Sequence, residues 1–509
     1  MPQYLSPGVY MEEVEAGSRP IEGVGTAVAA FVGLAARGPV NSPTLVTNWN
    51  QFVQMFGDFM EGAYLGHAVY GYFLNGGGAC YVVRVGADGN VPAARGEVLT
   101  ANKDKGLPGY RITALESGSA GNDITVEVAD ASQPSEDTFK LIVERAGKVE
   151  EVFDNLTTKR GKQNVATAVK SASKLIMIEE VGTASALERV PSRGRITLSG
   201  GDVPAPVRVT PEEYVGSAAD RTGFGGLEAI DPVTMLAVPD LMAVYQKGII
   251  DADGVQAVQQ AMIAHCELMG DRIAILDSPP GLNAQQVREW RVDKAGYDSK
   301  YAALYWPWIK VFDPTAGQAS LVPPSGHMAG IWSRSDDTRG VHKAPANEVV
   351  RGALSLELQL TKAEHDLLNP QGINCLRAFP GRGLRVWGAR TLSSDPAWRY
   401  LNVRRLFNFI EESILTGTQW VVFEPNDMNL WQRVKRTISA FLLRVWRDGA
   451  LFGATPEEAF YVKCDAETNP PEVRDAGQLV VEVGIAPVKP AEFVVFRMAQ
   501  FSGGAALSE

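Results

Sequence analysis

The sequence is poor in the residues that build metal centres and disulfide frameworks. Of 509 residues only four are cysteine and five are histidine. Cys80, Cys266, Cys375 and Cys464 lie far apart with no CxxC pair, and no histidine stands at a metal-ligand spacing. That pattern argues against a zinc site or a disulfide scaffold and predicts reduced, structural thiols in a cytosolic chain with no cofactor. A basic excess is also missing, with 48 Lys+Arg against 59 Asp+Glu and a net charge of -11. A nucleic-acid coat needs a basic footprint to release phosphate counterions, so nucleic acid is not an expected partner. The longest run of apolar or small residues, Ala27 to Ala36, is about half the ~20 residues needed to span a bilayer. The opening MPQYLSPGVYMEEVEAG has neither a positive nor an apolar signal region, which predicts no signal peptide and no direct membrane insertion.

What is present is globular. A 45% hydrophobic and 21% charged composition excludes wholesale disorder, and the length allows several domains. Residues 1–24 read as an extended arm, with Pro2, Pro7 and Pro20 around the short stretch GVYMEEVEA. Residues 25–91 form the first part of a core: a buried strand at TAVAAFVGLAARGP, a helix at NWNQFVQMFGDF and a strand at CYVVRVG. Residues 92–205 are dense in charge and alternate in segments such as DITVEVAD and TFKLIVER, predicting a β-rich insertion with one helix near Asn164–Lys174. Residues 206–375 alternate apolar strands with helices, including PVTMLAVPD, GVQAVQQAMIAHCELMG, DRIAILDSPP, NAQQVREWRVD and a single strand YAALYWPWIKV. Such alternation predicts a parallel sheet covered on both faces. Residues 376–509 hold the strand GLRVWGAR, two long helices, and two strands, QLVVEVGIA and AEFVVFRMA, separated by PVKP.

No convincing catalytic constellation emerges. The glycines of NGGGACYVVRV lead into a strand and lack the Lys-Ser/Thr of a phosphate loop. Asp277, Ser278, Ser325 and His327 make a serine hydrolase the rival reading, but no GxSxG elbow is present. SGHMAGIW places His327 at the edge of an apolar strand, as a structural histidine. Paired acids such as Glu411 and Glu412 read as solvated faces.

Two non-catalytic features stand out. The segment MNLWQRVKRTISAFLLRVWR carries Arg433, Lys435, Arg436, Arg444 and Arg447 and no acid. At helical spacing Arg433, Arg436, Arg444 and Arg447 fall in one stripe, opposite Trp431, Val434, Ile438, Phe441, Leu442 and Val445. A one-sign stripe in an acidic chain suits docking on an acidic surface. The second feature is the chain ends. Val9, Tyr10, Met11 and Val14 in the arm, and Val480, Val481, Val483, Phe493, Val494, Val495 and Phe496 near the other end, suit strand addition between subunits.

Several long blocks also carry a family likeness. ANEVVRGALSLELQLTKAEHDLLNPQGIN (346–374), GRGLRVWGARTLSSDPAWRYLNVRRLFNFIEESI (381–414), GTQWVVFEPND (417–427), LFGATPEEAFYVKCDAETN (451–469) and VGIAPVKPAEFVVFRMAQF (483–501) resemble the tail sheath proteins of contractile phage tails. LSPGVYMEEVEAGSRPIEGVGTAVAAFVG (5–33) and FLNGGGACYVVRV (73–85) share the likeness, which is weakest over 92–205. One departure is His342, where many relatives have Trp. The resemblance implies an α/β and α+β multidomain chain: a subtilisin-like α/β core without catalytic residues, a β-rich insertion and a C-terminal α+β domain. It implies stacked hexameric rings around an acidic inner tube, which contract to drive the tube through a target membrane, with baseplate and terminal cap proteins as further partners. It also implies strand-exchanging arms at 1–24 and 478–501, and a tube-facing basic helix on Arg433, Lys435, Arg436, Arg444 and Arg447. Assembly is expected in the bacterial cytoplasm, as part of a phage-tail-like particle. The N-terminal block favours an extracellular contractile injection system over a phage, and a single fused chain disfavours the type VI branch.

Overall fold

The computed structural model describes residues 20–86, 93–101, 108–117, 119–135, 137–181, 189–201 and 209–498. Val9, Tyr10, Met11 and Val14 lie outside them. Contacts divide the chain into two compact units, residues 86–208 and the remainder.

The larger unit begins with β1 (Val28–Gly33), β2 (Thr44–Val46), α1 (Trp49–Phe56), α2 (Leu65–Leu74) and β3 (Ala79–Arg84). α1 starts where Asn48 accepts a hydrogen bond from Gln51 N at 2.9 Å.

The chain then builds the second unit from β4 (Ala93–Leu99), β5 (Pro108–Ser117), β6 (Ile124–Ala129), β7 (Thr138–Arg145), β8 (Lys148–Thr157), α3 (Val165–Ala172), β9 (Ile176–Glu180) and β10 (Gly194–Thr197). Its two sheets, in the orders β10-β6-β7-β8 and β4-β5-β9, are antiparallel throughout. Alternate residues of β6 and β7 turn inward, so Val126, Phe139, Leu141 and Val143 join Ile112 and Val169 in a core of the unit's own.

The larger unit resumes with α4 (Pro211–Val215), β11 (Met235–Ala237), α5 (Asp240–Gln246), α6 (Ala252–Met269), β12 (Ile273–Asp277), α7 (Ala284–Glu289), β13 (Ala302–Trp306), β14 (Ile309–Asp313), β15 (Gln318–Val322), α8 (Ser325–Arg339), β16 (Ala353–Leu356), α9 (Lys362–Leu368), β17 (Ile373–Phe379) and β18 (Gly383–Val386). It closes with α10 (Leu401–Gly417), α11 (Met428–Arg447), α12 (Pro456–Ala459), β19 (Phe460–Lys463), α13 (Pro471–Asp475) and β20 (Glu482–Ile485).

Its main sheet has the order β18-β17-β13-β12-β11-β1-β3-β2. The six inner strands run parallel, and β2 and β18 are antiparallel edges. Strands such as Ile273–Asp277 and Ala302–Trp306 are buried at every position, because helices cover both faces. One face packs on α1, α2 and α8, and the other meets α5 and α6. α8 lies unusually near α2, where a Cβ on Gly330 would stand 2.4 Å from the Tyr72 carbonyl.

Three expectations change. YAALYWPWIKV is two strands, since Pro307 can donate no ladder hydrogen bond, and β14 joins β15 and β16 in a separate antiparallel sheet. SGHMAGIW is the start of α8 rather than a strand; Gly326, Ala329 and Gly330 are the small residues that let this helix approach α2. Of the final two strands only Glu482–Ile485 forms one, paired with β19 of the same chain, and 491–498 has no ladder. The C-terminal layer, with Leu406, Ile410, Trp431, Ile438, Phe441 and Leu442 in its core, is tied to α8 by Arg405. Its guanidinium grips both Asp336 oxygens at 2.8 and 2.5 Å.

Candidate assembly surfaces

Ligands in open α/β sheets bind beyond the strands' carboxyl ends, where the strand order reverses. Here the reversal falls between β1 and β11, and the crevice is occupied by the chain itself. The Asp240 carboxylate accepts from Leu34 N at 2.6 Å, Leu65 N at 3.3 Å and Tyr64 N. Asp240 is fully buried, and burial raises its pKa to about 6 against the pull of those donors.

The hydrolase constellation does not assemble. Ser325 donates its hydroxyl to Asp277 at 2.5 Å, and its N–H to the same carboxylate at 3.0 Å. Burial lifts Asp277 to about 7. His327 sits in α8 with its Nδ1 unbonded, and burial lowers its pKa to about 3. A Ser–Asp pair without a histidine on the hydroxyl lacks the base that nucleophilic catalysis requires. Ser278 is buried under Trp308, whose Nε1 donates to its carbonyl at 2.9 Å.

α11 begins at Asp427, which accepts from Leu430 N at 2.8 Å. Leu430, Trp431, Val434, Thr437, Ile438, Phe441, Leu442 and Val445 are its buried face. The basic residues are not equivalent. Arg436 and Arg447 are exposed and have no ion pair among the described residues. Arg433 lies 4.6 Å over the Trp420 ring and 3.4 Å from Glu424. Arg444 donates to the Ile21 carbonyl, so one arginine of the stripe holds the root of the N-terminal arm. Lys435 is half-buried, about 200° round the helix from Arg433 and off the stripe.

Near the other terminus, Val483 pairs with Val462 of β19. Val480 N donates to Asn469 Oδ1 at 2.7 Å, and Val481 packs on the C-terminal core. These three valines are thus engaged within the chain. Phe493, Val494, Val495 and Phe496 are 69–84% exposed. Just before them Glu492 is clamped: Arg390 donates Nε at 2.9 Å and Nη2 at 2.6 Å, and Asn369 donates at 2.9 Å. Burial raises the Glu492 carboxyl, but these donors outweigh it and hold the group below the usual range. The clamp joins residues 102 apart in sequence, and no local pattern announces it.

The crevice is filled by the chain's own carboxylate, and what the chain exposes is a one-sign helix face and the apolar residues 493–496, features of a structural subunit rather than of a ligand-binding cleft. Residues 229–392 match the phage tail sheath protein central domain, and residues 393–501 match the phage tail sheath C-terminal domain. The two matches adjoin and take in more than half of the chain, which belongs to the tail sheath protein family, the structural proteins of contractile sheaths. The tail sheath protein of Burkholderia phage BcepMu is 25% identical over 512 residues, covering 96% of this chain and 95% of that protein. The tail sheath protein of Escherichia phage P2 is 22% identical, over 59% of this chain and 73% of its own length. Among solved structures, the contracted helical sheath of the anti-feeding prophage superposes with a TM-score of 0.61 at 24% identity, covering 97% of this chain and 99% of that one. The contracted sheath of the PVC extracellular contractile injection system gives 0.58 at 23%, covering 99% of each. No helix among the described residues is long and apolar enough to cross a membrane.

Proposed function

We propose that this chain polymerises as stacked hexameric rings around an acidic inner tube and contracts to drive that tube through a target membrane. Baseplate and cap proteins end the stack, and the particle is assembled in the producing cell's cytoplasm. The parallel sheet is the subtilisin-like core of the resemblance, retained as a scaffold.

The observation that carries this reading is the segment 493–496 beyond the Glu492 clamp, whose Phe and Val side chains are exposed and which has no strand partner among the described residues. A row of free backbone groups with Val and Phe side chains calls for a neighbour's sheet edge. The β19–β20 pair supplies one, since each strand has a single partner among the described residues. Backbone bonds worth ~0.5–1.5 kcal/mol each net, with the buried apolar side chains, would hold subunits together through contraction. The tube contact has to release. Exposed ion pairs from Arg436 and Arg447, at about 0–1 kcal/mol each, hold only when many subunits act together. Contraction is then a shift from a metastable to a stable lattice, with no nucleotide required.

Electron microscopy of the purified chain tests this. Hollow tubes are expected, and deletion of residues 1–19 or 493–509, which spares the buried Ile21 and the Glu492 clamp, should abolish them while leaving folded subunits. Wild-type protein that stays a monodisperse monomer would refute the proposal.

A further inference from the structure

The α10–α11 connection projects one side chain that no described residue covers. Phe423 is 102% exposed, and Val422 beside it is 61% exposed. Scattered surface hydrophobics are ordinary, but Phe423 also has φ of +68°, a left-handed conformation that a bulky L-residue rarely adopts. The turn is pinned on both sides. Val422 N donates to Gln419 O at 3.3 Å and Glu424 N to Val421 O at 3.1 Å. Asn426 donates to Gln478 O at 2.8 Å and accepts from Trp431 Nε1 at 2.8 Å. A rigid turn that holds an aromatic ring in water, at a backbone cost, is preorganised for a partner. Large aromatics also serve as interface anchors.

The turn's position indicates which partner. Arg433, the first arginine of the α11 stripe, stacks on Trp420 and pairs with Glu424, so the turn that carries Phe423 is continuous with the basic face. We infer that Phe423 is an apolar knob which seats in a recess of the inner tube's outer surface, bordered by the carboxylates that meet Arg436 and Arg447. This rests on the tube-docking reading of α11. It adds a component that salt does not screen: apolar contact should persist where exposed ion pairs fade.

The test is co-assembly of the full chain with its tube protein, counting extended sheaths on tubes and sheath-only tubes by electron microscopy at 0.1 M and 0.5 M salt. Phe423→Gly removes the ring and relaxes the positive φ, so folding is preserved; Phe423→Leu keeps an apolar side chain. We expect Phe423→Gly to lower tube-bound extended sheath at least tenfold at 0.5 M salt, with sheath-only tubes unchanged and Phe423→Leu near wild type. Arg436→Glu combined with Arg447→Glu tests the stripe separately. Loss with both Phe423→Gly and the charge reversal supports the knob, and loss with Phe423→Gly alone would mean that α11 does not face the tube, which overturns the proposal as placed. Loss only with the charge reversal leaves the stripe standing and overturns the knob. If Phe423→Gly instead blocks sheath-only tubes, the ring seats on a second copy of this chain, which also overturns the proposal.

Discussion

Replacing Glu492 with alanine should release the C-terminal segment while the body stays folded. The carboxylate takes two charge-assisted donors from Arg390 and one from Asn369, with Tyr400 Oη a weaker fourth at 3.3 Å. Side-chain exposure is 9% for Arg390 and 19% for Glu492, so water screens the pair little. Breaking a buried pair by removing one partner costs about 3–5 kcal/mol, because a charge is left uncompensated. The partial exposure here reduces that to about 2–4 kcal/mol. The loss falls on local attachment of the segment after Pro487, since the main sheet does not depend on Glu492. At 1.4 kcal/mol per decade, opening should become about 30- to 1,000-fold more frequent. Hydrogen exchange reads this at the Val488 amide, which donates to Ala450 O at 3.2 Å. The sign with pH also follows. A carboxyl depressed in the folded state contributes stability above its unfolded pKa of about 4.3, lost as pH falls through the folded value; Glu492→Gln should therefore flatten the acid-side loss. Unchanged Val488 exchange in Glu492→Ala would refute the clamp.

Two further outcomes test the scaffold. Asp277 has its pKa raised to about 7 in the fold, so the folded state holds the extra proton, and the stability it contributes at low pH is lost as pH rises through 7. Asp277→Asn should therefore gain about 2–3 kcal/mol relative to wild type between pH 5 and pH 8 in urea titrations; a pH-independent difference contradicts the assignment. Gly330→Ala gains up to about 1 kcal/mol of helix propensity but drives a methyl into the Tyr72 carbonyl, an overpacking cost of about 1–3 kcal/mol. The unfolding midpoint should fall, and a rise would show that α2 and α8 can separate freely.

Much of the fold was legible because its signals are local. The near-continuous apolar runs of β12 and β13 marked a covered parallel sheet, and the alternation in β6 and β7 marked the insertion. α11 was visible for the same reason, since the helical period places four arginines on one side and six apolar residues on the other. The failures were also local. SGHMAGIW has no amphipathic period, because a helix buried on nearly all sides carries none. YAALYWPWIKV hid a break behind uniform hydrophobicity.

By itself the sequence determined the chain's chemistry: an acidic chain poor in cysteine and histidine, with one basic helix, apolar segments near its C-terminus and the blocks of a sheath subunit. Only the tertiary structure decided how those groups are used. It set Asp240 in the switch crevice, gave Arg444 to Ile21 and Arg433 to Trp420 and Glu424, clamped Glu492 with Arg390, and left Phe423 and residues 493–496 exposed. Composition and periodicity fix which face of an element is apolar or charged. Which distant partner meets that face depends on contacts between residues far apart in the chain, and those exist only once the backbone has closed.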